Sequence, residues 1–283
     1  GENHLVSVSA AGTGSGNSGS TLPVISPDGN RVAFQSQASD LGPTDTNGIS
    51  DVYIRDLVAD TTELVSVDVT GTRAGNLESI VSGGFSADGT RLAFGSLARD
   101  LVPVSPSASN ALYVRDLATG TTTLVSVASD GGVLPGNGAA RTAALSADGT
   151  KVAFEYLTPD ASVPPPQPPF RQDIYLRDLT AGTTSLVSRT PDGGLPGTSS
   201  AKPAIAPDGS AVVFESAAGN LVGGDGNGQT DVFLYRVATG AVELVSTESS
   251  GAHSAAGASG NAAFSADGSV LGAWSRESER AVP

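Results

Sequence analysis

The stretch SADGTRLAF, residues 86–94, decides the fold because it recurs along the chain at a constant spacing. The S-x-D-G turn, or A-x-D-G in one unit, begins at residues 26, 86, 146, 206 and 265. An aromatic residue follows each turn, and the five are spaced 60 residues apart: Phe34, Phe94, Phe154, Phe214 and Trp274. A fixed period of this length is the sequence signature of a repeat architecture.

Each repeat predicts four short strands, A to D. In the first repeat, strand B is RVAFQ (31–35), strand C is DVYIRDL (51–57) and strand D is TTELVSV (61–67). Strand A precedes the turn, and Ser, Thr, Gly, Asn and Asp punctuate the boundaries. No stretch shows a 3.6-residue periodicity. Four antiparallel strands repeated about five times predict an all-β fold, a β-propeller of four-stranded blades.

The strand count predicts a five-bladed β-propeller that forms a single domain over residues 1–283. Four complete blades cover about residues 20–69, 80–129, 140–190 and 200–249. The fifth blade is expected to join residues 261–283, with strands in 261–275, to residues 1–9, with an N-terminal strand at 4–9. This closure is expected because an open array leaves unpaired strand edges. The alternative is that the chain is a segment of a longer array.

The aromatic residues predict where the core lies. The five aromatics of the B strands, together with Tyr53, Tyr113, Tyr175 and Phe233 of the C strands, are expected to pack between neighbouring blades. A small residue precedes each B-strand aromatic, which lets the sheets approach closely: Ala33, Ala93, Ala153, Val213 and Ala273.

The charge of the chain excludes several partners. The sequence has 29 acidic and 15 basic residues, a net charge of -14. Binding to nucleic acid needs clustered Lys and Arg, so no nucleic-acid partner is expected.

No run of 18 apolar residues occurs, so no membrane insertion is expected. The chain contains no cysteine and therefore forms no disulfide.

Two acidic loops share one spacing, D-x-N-G-x-x-D, just before a C strand. They are DTNGISDVY, beginning at Asp45, and DGNGQTDVF, beginning at Asp225. Calcium prefers carboxylate, amide and carbonyl oxygens. The loops are therefore candidate Ca²⁺ sites, with these ligands: Asp45, Asn47, Asp51, Asp225, Asn227 and Asp231. The alternative is that Asn-Gly forms a turn, its Asp forms an Asx-turn and Asp51 caps the entry to the strand, with no metal bound. The second blade replaces the three polar positions with Ser105, Ser107 and Ala111.

The sequence predicts no catalytic residue. The only histidines are His4 and His253, and His253 is expected to be a solvated loop residue. No G-x-S-x-G motif occurs. The Asp of the S-x-D-G turn occurs in every repeat, which indicates turn geometry rather than a unique active site. Paired carboxylates could converge across loops, but no spacing identifies such a pair.

The motifs S-x-D-G, V-A-F-x-S, D-V-Y-x-R-D-L and T-T-x-L-V-S resemble the TolB-like (WD40-like) β-propeller repeat of exported bacterial proteins. They recur four to five times and cover nearly the whole chain. The resemblance implies a propeller fold and a secreted or periplasmic location.

The long B–C and D–A connections are expected to lie at one end of the blades, where binding residues concentrate. We therefore expect a non-catalytic extracellular binding or scaffold propeller that recognises a protein or glycan partner, with loops that Ca²⁺ stabilises. One alternative is a hydrolase or lyase with a site at the channel mouth. The other is a structural subunit of a surface assembly.

Overall fold

The computed structural model describes residues 3–42, 45–104, 110–132, 134, 138–159, 170–248 and 254–276. These residues contain strands and turns but no α-helix, so the predicted all-β class is confirmed. None of them forms a helix that could cross a membrane. The chain divides into two compact units, Gly1–Val127 and Ala128–Pro283. The single-domain prediction is not tested by this division and stays a prediction.

The first unit contains two four-stranded antiparallel sheets in which the strand order follows the chain. Sheet 1 consists of β1 (Ser20–Ile25), β2 (Arg31–Ser36), β3 (Asp51–Asp56) and β4 (Thr61–Leu64). Sheet 2 consists of β5 (Ser79–Ile80), β6 (Arg91–Ser96), β7 (Ala111–Asp116) and β8 (Thr121–Leu124).

The second unit contains two sheets of the same kind and one smaller sheet. Sheet 3 consists of β9 (Ala139–Leu145), β10 (Lys151–Pro159), β11 (Phe170–Asp178) and β12 (Thr183–Leu186). Sheet 4 consists of β13 (Ser200–Ile205), β14 (Ala211–Ser216), β15 (Asp231–Arg236) and β16 (Ala241–Leu244). Sheet 5 consists of β17 (Ser259–Phe264) and β18 (Leu271–Ser275).

The recurring S-x-D-G stretch forms the tight turn between the first two strands of a sheet. In sheet 1 the Ser26 hydroxyl donates to Asp28 Oδ1 at 2.6 Å and accepts from the backbone N–H of Arg31 at 2.9 Å. Gly29 follows with a φ of 73°, a conformation that glycine adopts without steric cost. The same Ser–Asp hydrogen bond recurs at the turns that begin at Ser86, Ser146 and Ser265. Turn geometry therefore accounts for the repeated Asp.

The predicted aromatic core is confirmed in the four complete sheets. Phe94 is fully buried and stacks on Tyr113 with ring centroids 5.5 Å apart. Phe94 lies in one cluster with Val52 and Ile54, so it joins sheet 2 to sheet 1. The equivalent stacked pairs are Phe34–Tyr53, Phe154–Tyr175 and Phe214–Phe233.

The fifth aromatic, Trp274, departs from this prediction. It is 43% exposed, whereas its four equivalents are buried. The reason is that sheet 5 has only two strands among the described residues, so no C strand covers β18 as one covers the second strand of the other sheets.

The predicted five-blade count and closure by the chain ends are not confirmed. Residues 4–9 form no regular strand, and Val8 makes an isolated antiparallel bridge with Ser15. In the described part of the chain, β17 and β18 pair with each other and with no third strand. Residues 1–2 and 277–283 of the predicted fifth blade lie outside the described residues.

Candidate functional site

The acidic loop of sheet 1 is held together by its own hydrogen bonds. Asn47 Nδ2 donates to Asp51 Oδ2 at 3.0 Å and to the Gly75 carbonyl at 2.9 Å. The Ser66 hydroxyl donates to Asp51 Oδ1 at 2.7 Å. The contact with Gly75 joins the B–C loop to the D–A connection, so these two connections meet at one end of the sheet, as the sequence predicts.

Asp45 has two partners in the same loop. Its Oδ2 accepts a 2.6 Å hydrogen bond from the Tyr53 hydroxyl, and its Oδ1 accepts a 3.3 Å hydrogen bond from the Asn47 N–H. Asn47 Oδ1 in turn accepts from the Ile49 N–H at 2.9 Å. These local bonds are the Asx-turns that the metal-free alternative predicts.

The acidic loop of sheet 4 repeats most of these contacts. Asn227 Nδ2 donates to Asp231 Oδ2 at 2.9 Å and to the Ala255 carbonyl at 2.6 Å, and the Ser246 hydroxyl donates to Asp231 Oδ1 at 2.7 Å. Asp225 differs from its equivalent in sheet 1, because its Oδ2 is buried without a hydrogen-bond partner.

Burial dominates the electrostatics of both loops. Burial raises the pKa of Asp51 to about 6, with a smaller contribution from the charge of Asp45, although hydrogen bonds from Ser66 and Asn47 act in the opposite direction. Burial also raises the pKa of Asp225 and of Asp231, and the charge of Asp231 adds to the effect on Asp225. A neutral carboxyl, or a counter-charge, is therefore favoured at these positions.

The six predicted Ca²⁺ ligands form two separate sets, one in each unit. Asp45, Asn47 and Asp51 lie together in sheet 1, and the equivalent three lie together in sheet 4. In the described part of the chain, no group of three or more His, Cys, Asp or Glu side chains could hold a metal ion. Calcium binding by these loops stays a prediction.

A second polar cluster, which the sequence did not predict, lies on the first two strands of the sheets in the second unit. Lys202 of β13 contacts Glu215 of β14, with Nζ 3.1 Å from Oε2. The same Nζ lies 3.3 Å from Asn261 Oδ1 on β17. Two backbone N–H groups also reach buried glutamates: that of Lys202 donates to Glu155 Oε1 at 2.8 Å, and that of Asn261 donates to Glu215 Oε1 at 2.6 Å. We call Glu155, Lys202, Glu215 and Asn261 the Lys202 cluster.

The backbone at this cluster explains why the glutamates reach it. Lys202 and Asn261 have φ values of 52° and 51°, and each lies at a shift in the register between the first two strands of its sheet. This bulge turns the N–H toward the glutamate of the preceding sheet. Leu22 of sheet 1 has the same conformation, with a φ of 52°, so the bulge belongs to the repeat and only its side chains differ.

The cluster exposes a cation to solvent, and the acidic side chains that hold this residue are buried. The Lys202 side chain is 61% exposed, whereas Glu155 and Glu215 are buried. Exposed Arg141 lies on β9, and β9 contacts β13. Such an arrangement suits the binding of a carboxylate, which accepts charge-assisted hydrogen bonds from ammonium and guanidinium groups.

A register comparison of the repeats could have revealed this site. The position after the B-strand aromatic reads Gln35, Gly95, Glu155, Glu215 and Ser275. The position six residues before the turn Asp reads Leu22, Ser82, Thr142, Lys202 and Asn261. At these two positions the residues differ from repeat to repeat, whereas the motifs that predict the fold consist of residues that the repeats share.

Of the two histidines, His4 is exposed, and the prediction that His253 is a solvated loop residue lies outside the described residues.

Two solved structures with a similar fold are oligogalacturonate lyases. One, in complex with manganese, has 17% sequence identity and a TM-score of 0.51, and the match covers 88% of this chain and 56% of that chain. The other, from Vibrio parahaemolyticus, has 14% identity and a TM-score of 0.53, with 91% and 58% covered. This chain therefore spans less than three fifths of the length of either lyase. No protein-family model and no curated protein matches the sequence.

These similarities support the predicted propeller fold and correct the predicted function. The expectation of a non-catalytic binding scaffold, which leaned away from an enzyme, is contradicted because both similar proteins are lyases. The enzymatic alternative is the one that they favour. The manganese of the first lyase has no matching group of three or more His, Cys, Asp or Glu ligands in the described part of this chain.

Proposed function

We propose that this chain is a catalytic propeller, a lyase that acts on an anionic, uronate-containing oligosaccharide. The observation that carries the proposal is the Lys202 cluster, in which the exposed amino group of Lys202, on the first strand of sheet 4, is held by Glu215 of β14 and by Asn261 of β17. The first strand of each blade lines the central channel of a propeller. The cluster would therefore face the channel.

A lyase of this class transfers a proton from the carbon next to a carboxylate to a base, breaks the C–O bond on the neighbouring carbon, releases the leaving oxygen as a protonated alcohol and leaves a carbon–carbon double bond. The carboxylate must be held by cations, because negative charge develops on it as the proton leaves. Lys202 and Arg141 supply this binding from adjacent strands. Glu215, Asn261 and Glu155 are positioning residues, since they fix the side chain and the backbone of Lys202.

The same proposal includes the number of blades, the type of repeat and the location of the protein. We infer a five-bladed propeller of the TolB-like type, because five units share the 60-residue period and the repeated motifs. We also infer an extracytoplasmic location, where acidic plant or microbial oligosaccharides would be available to an exported lyase.

The experiment measures lyase activity on a panel of uronate oligomers through the ultraviolet absorbance of the unsaturated product. We expect Lys202→Met to lower kcat/KM roughly 100-fold, the loss typical of removing one preorganised donor to developing charge. Lys202→Arg keeps a cation and should retain more activity than Lys202→Met.

The only other lysine provides the matched control. Lys151 pairs with Asp178 at 3.8 Å at the start of β10, next to the A–B turn and four residues before Glu155. Lys151→Met should leave kcat/KM unchanged. The proposal fails if no uronate oligomer is cleaved, or if the two lysine variants have the same activity at equal melting temperatures.

A further inference from the structure

A single tyrosine distinguishes the two acidic loops. In sheet 1 the Tyr53 hydroxyl donates to Asp45 Oδ2 at 2.6 Å and also lies 3.4 Å from the Ala38 carbonyl. The Tyr113 hydroxyl of sheet 2 makes the equivalent contact with the Ala98 carbonyl at 3.2 Å. This hydroxyl therefore occupies a position between the loop and the strand that precedes it.

Sheet 4 has phenylalanine at this position. Phe233 pairs with Phe214 across the ladder as Tyr53 pairs with Phe34, so the register of the two sheets is the same. Phe233 has no hydroxyl. Asp225 is only 8% exposed, and its Oδ2, the equivalent of the Asp45 oxygen that Tyr53 contacts, has no hydrogen-bond partner. The oxygen is thus directed at the position that a hydroxyl fills in sheet 1.

The charge around this oxygen is negative. Asp225 and Asp231 are both buried, and they precede Phe233 by eight and two residues. Neither takes part in an ion pair among the described residues. A buried carboxylate without a counter-charge or a full set of hydrogen bonds is strongly disfavoured. A cation bound to these oxygens would offset that cost.

We propose that the acidic loop of sheet 4 binds a hard divalent cation of the Ca²⁺ type through Asp225 Oδ2, in the place where sheet 1 has the Tyr53 hydroxyl. Asp231 supplies the second negative charge, and backbone carbonyls and water complete the shell. Calcium takes six to eight oxygen ligands of these kinds, and sites with few carboxylates bind it with a Kd on the order of 10⁻⁴–10⁻³ M. The site is independent of the proposed lyase reaction.

The test is a titration of the whole chain with CaCl₂, followed by thermal melting and calorimetry. At a Ca²⁺ concentration about ten times Kd we expect a rise in Tm of roughly 3 °C. Calorimetry should count one site. Phe233→Tyr restores the hydroxyl and should abolish both the rise and the heat of binding, while keeping the fold. Asp225→Asn should also abolish them.

The reverse substitution in sheet 1 tests the same inference. Tyr53→Phe removes the hydroxyl from sheet 1 and should add a second Ca²⁺ site. NaCl at equal ionic strength is the control for screening. A wild-type Tm that does not respond to Ca²⁺ would show that a proton or water satisfies Asp225 and would overturn the proposal. A response that Phe233→Tyr leaves intact would place calcium elsewhere and would also overturn it.

Discussion

Replacing Phe94 with alanine is expected to lower the free energy of unfolding by about 3–5 kcal/mol, the usual cost of truncating a buried phenylalanine. Phe94 is fully buried, stacks on Tyr113 and packs against strands of sheet 1. The variant loses these contacts and leaves a cavity between two sheets. Because a domain has a net stability of only about 5–15 kcal/mol, the effect should be large in denaturant or thermal unfolding.

Two control variants test the reason for this loss. Val104 is 70% exposed, so Val104→Ala should change the stability by no more than about 0.5 kcal/mol. Trp274 occupies the same repeat position as Phe94 but is largely uncovered, so Trp274→Ala should cost much less than Phe94→Ala. Equal losses for Phe94→Ala and Trp274→Ala would contradict a core that depends on the covering C strand.

The regular part of the fold could be predicted because it depends on local features that recur. The S-x-D-G turn needs only a Ser hydroxyl, an Asp and a Gly within four residues, and its hydrogen bonds form as the sequence suggests. Period-two alternation places Phe94 and Tyr113 on one face of adjacent strands. These signals operate within one repeat, so they are visible without knowledge of the neighbouring repeats.

The terminal unit could not be predicted from the repeat in the same way. The LVS motif at Leu5 suggested a strand, yet residues 4–9 form none. In the complete sheets this motif follows a C strand that pairs with it through a short turn. Among the described residues no C strand pairs with residues 4–9, so the motif lacks the partner that makes it a strand elsewhere.

The Lys202 cluster was missed because it depends on contacts between sheets. Glu155 and Lys202 are 47 residues apart, and they meet only because the bulge turns the Lys202 N–H toward the preceding sheet. Neither the positive φ of Lys202 nor its partner follows from the local sequence, since Leu22 adopts the same conformation. By contrast, the difference between Tyr53 and Phe233 is visible in the sequence. Its consequence for Asp225 is visible only in the structure, where the Tyr53 hydroxyl contacts Asp45 and the equivalent oxygen of Asp225 has no hydrogen-bond partner.

Replacing Asp51 with alanine is expected to cost about 1–3 kcal/mol of stability, since it removes the acceptor of the buried Ser66 hydroxyl. The Ser66 hydroxyl and Asn47 Nδ2 both donate to Asp51, which is fully buried. In the variant the buried Ser66 hydroxyl loses its acceptor and cannot reach water in its place, whereas Asn47 Nδ2 keeps the Gly75 carbonyl. The measurement is equilibrium unfolding in urea, compared with the wild type at neutral pH.

Graded variants separate the lost hydrogen bonds from the lost charge. Burial already favours the neutral form of Asp51, whose pKa is raised to about 6, so Asp51→Asn should cost less than Asp51→Ala. The asparagine carbonyl can still accept from Ser66, but its NH₂ group faces the NH₂ of Asn47. Sheet 2 has Ala111 at this position, so the fold tolerates alanine where the acidic loop is absent.

The double variant Asn47→Ala/Asp51→Ala removes a donor together with its acceptor and should therefore cost less than the sum of the two single variants. Strict additivity would show that Asn47 and Asp51 do not stabilise the loop through their mutual hydrogen bond.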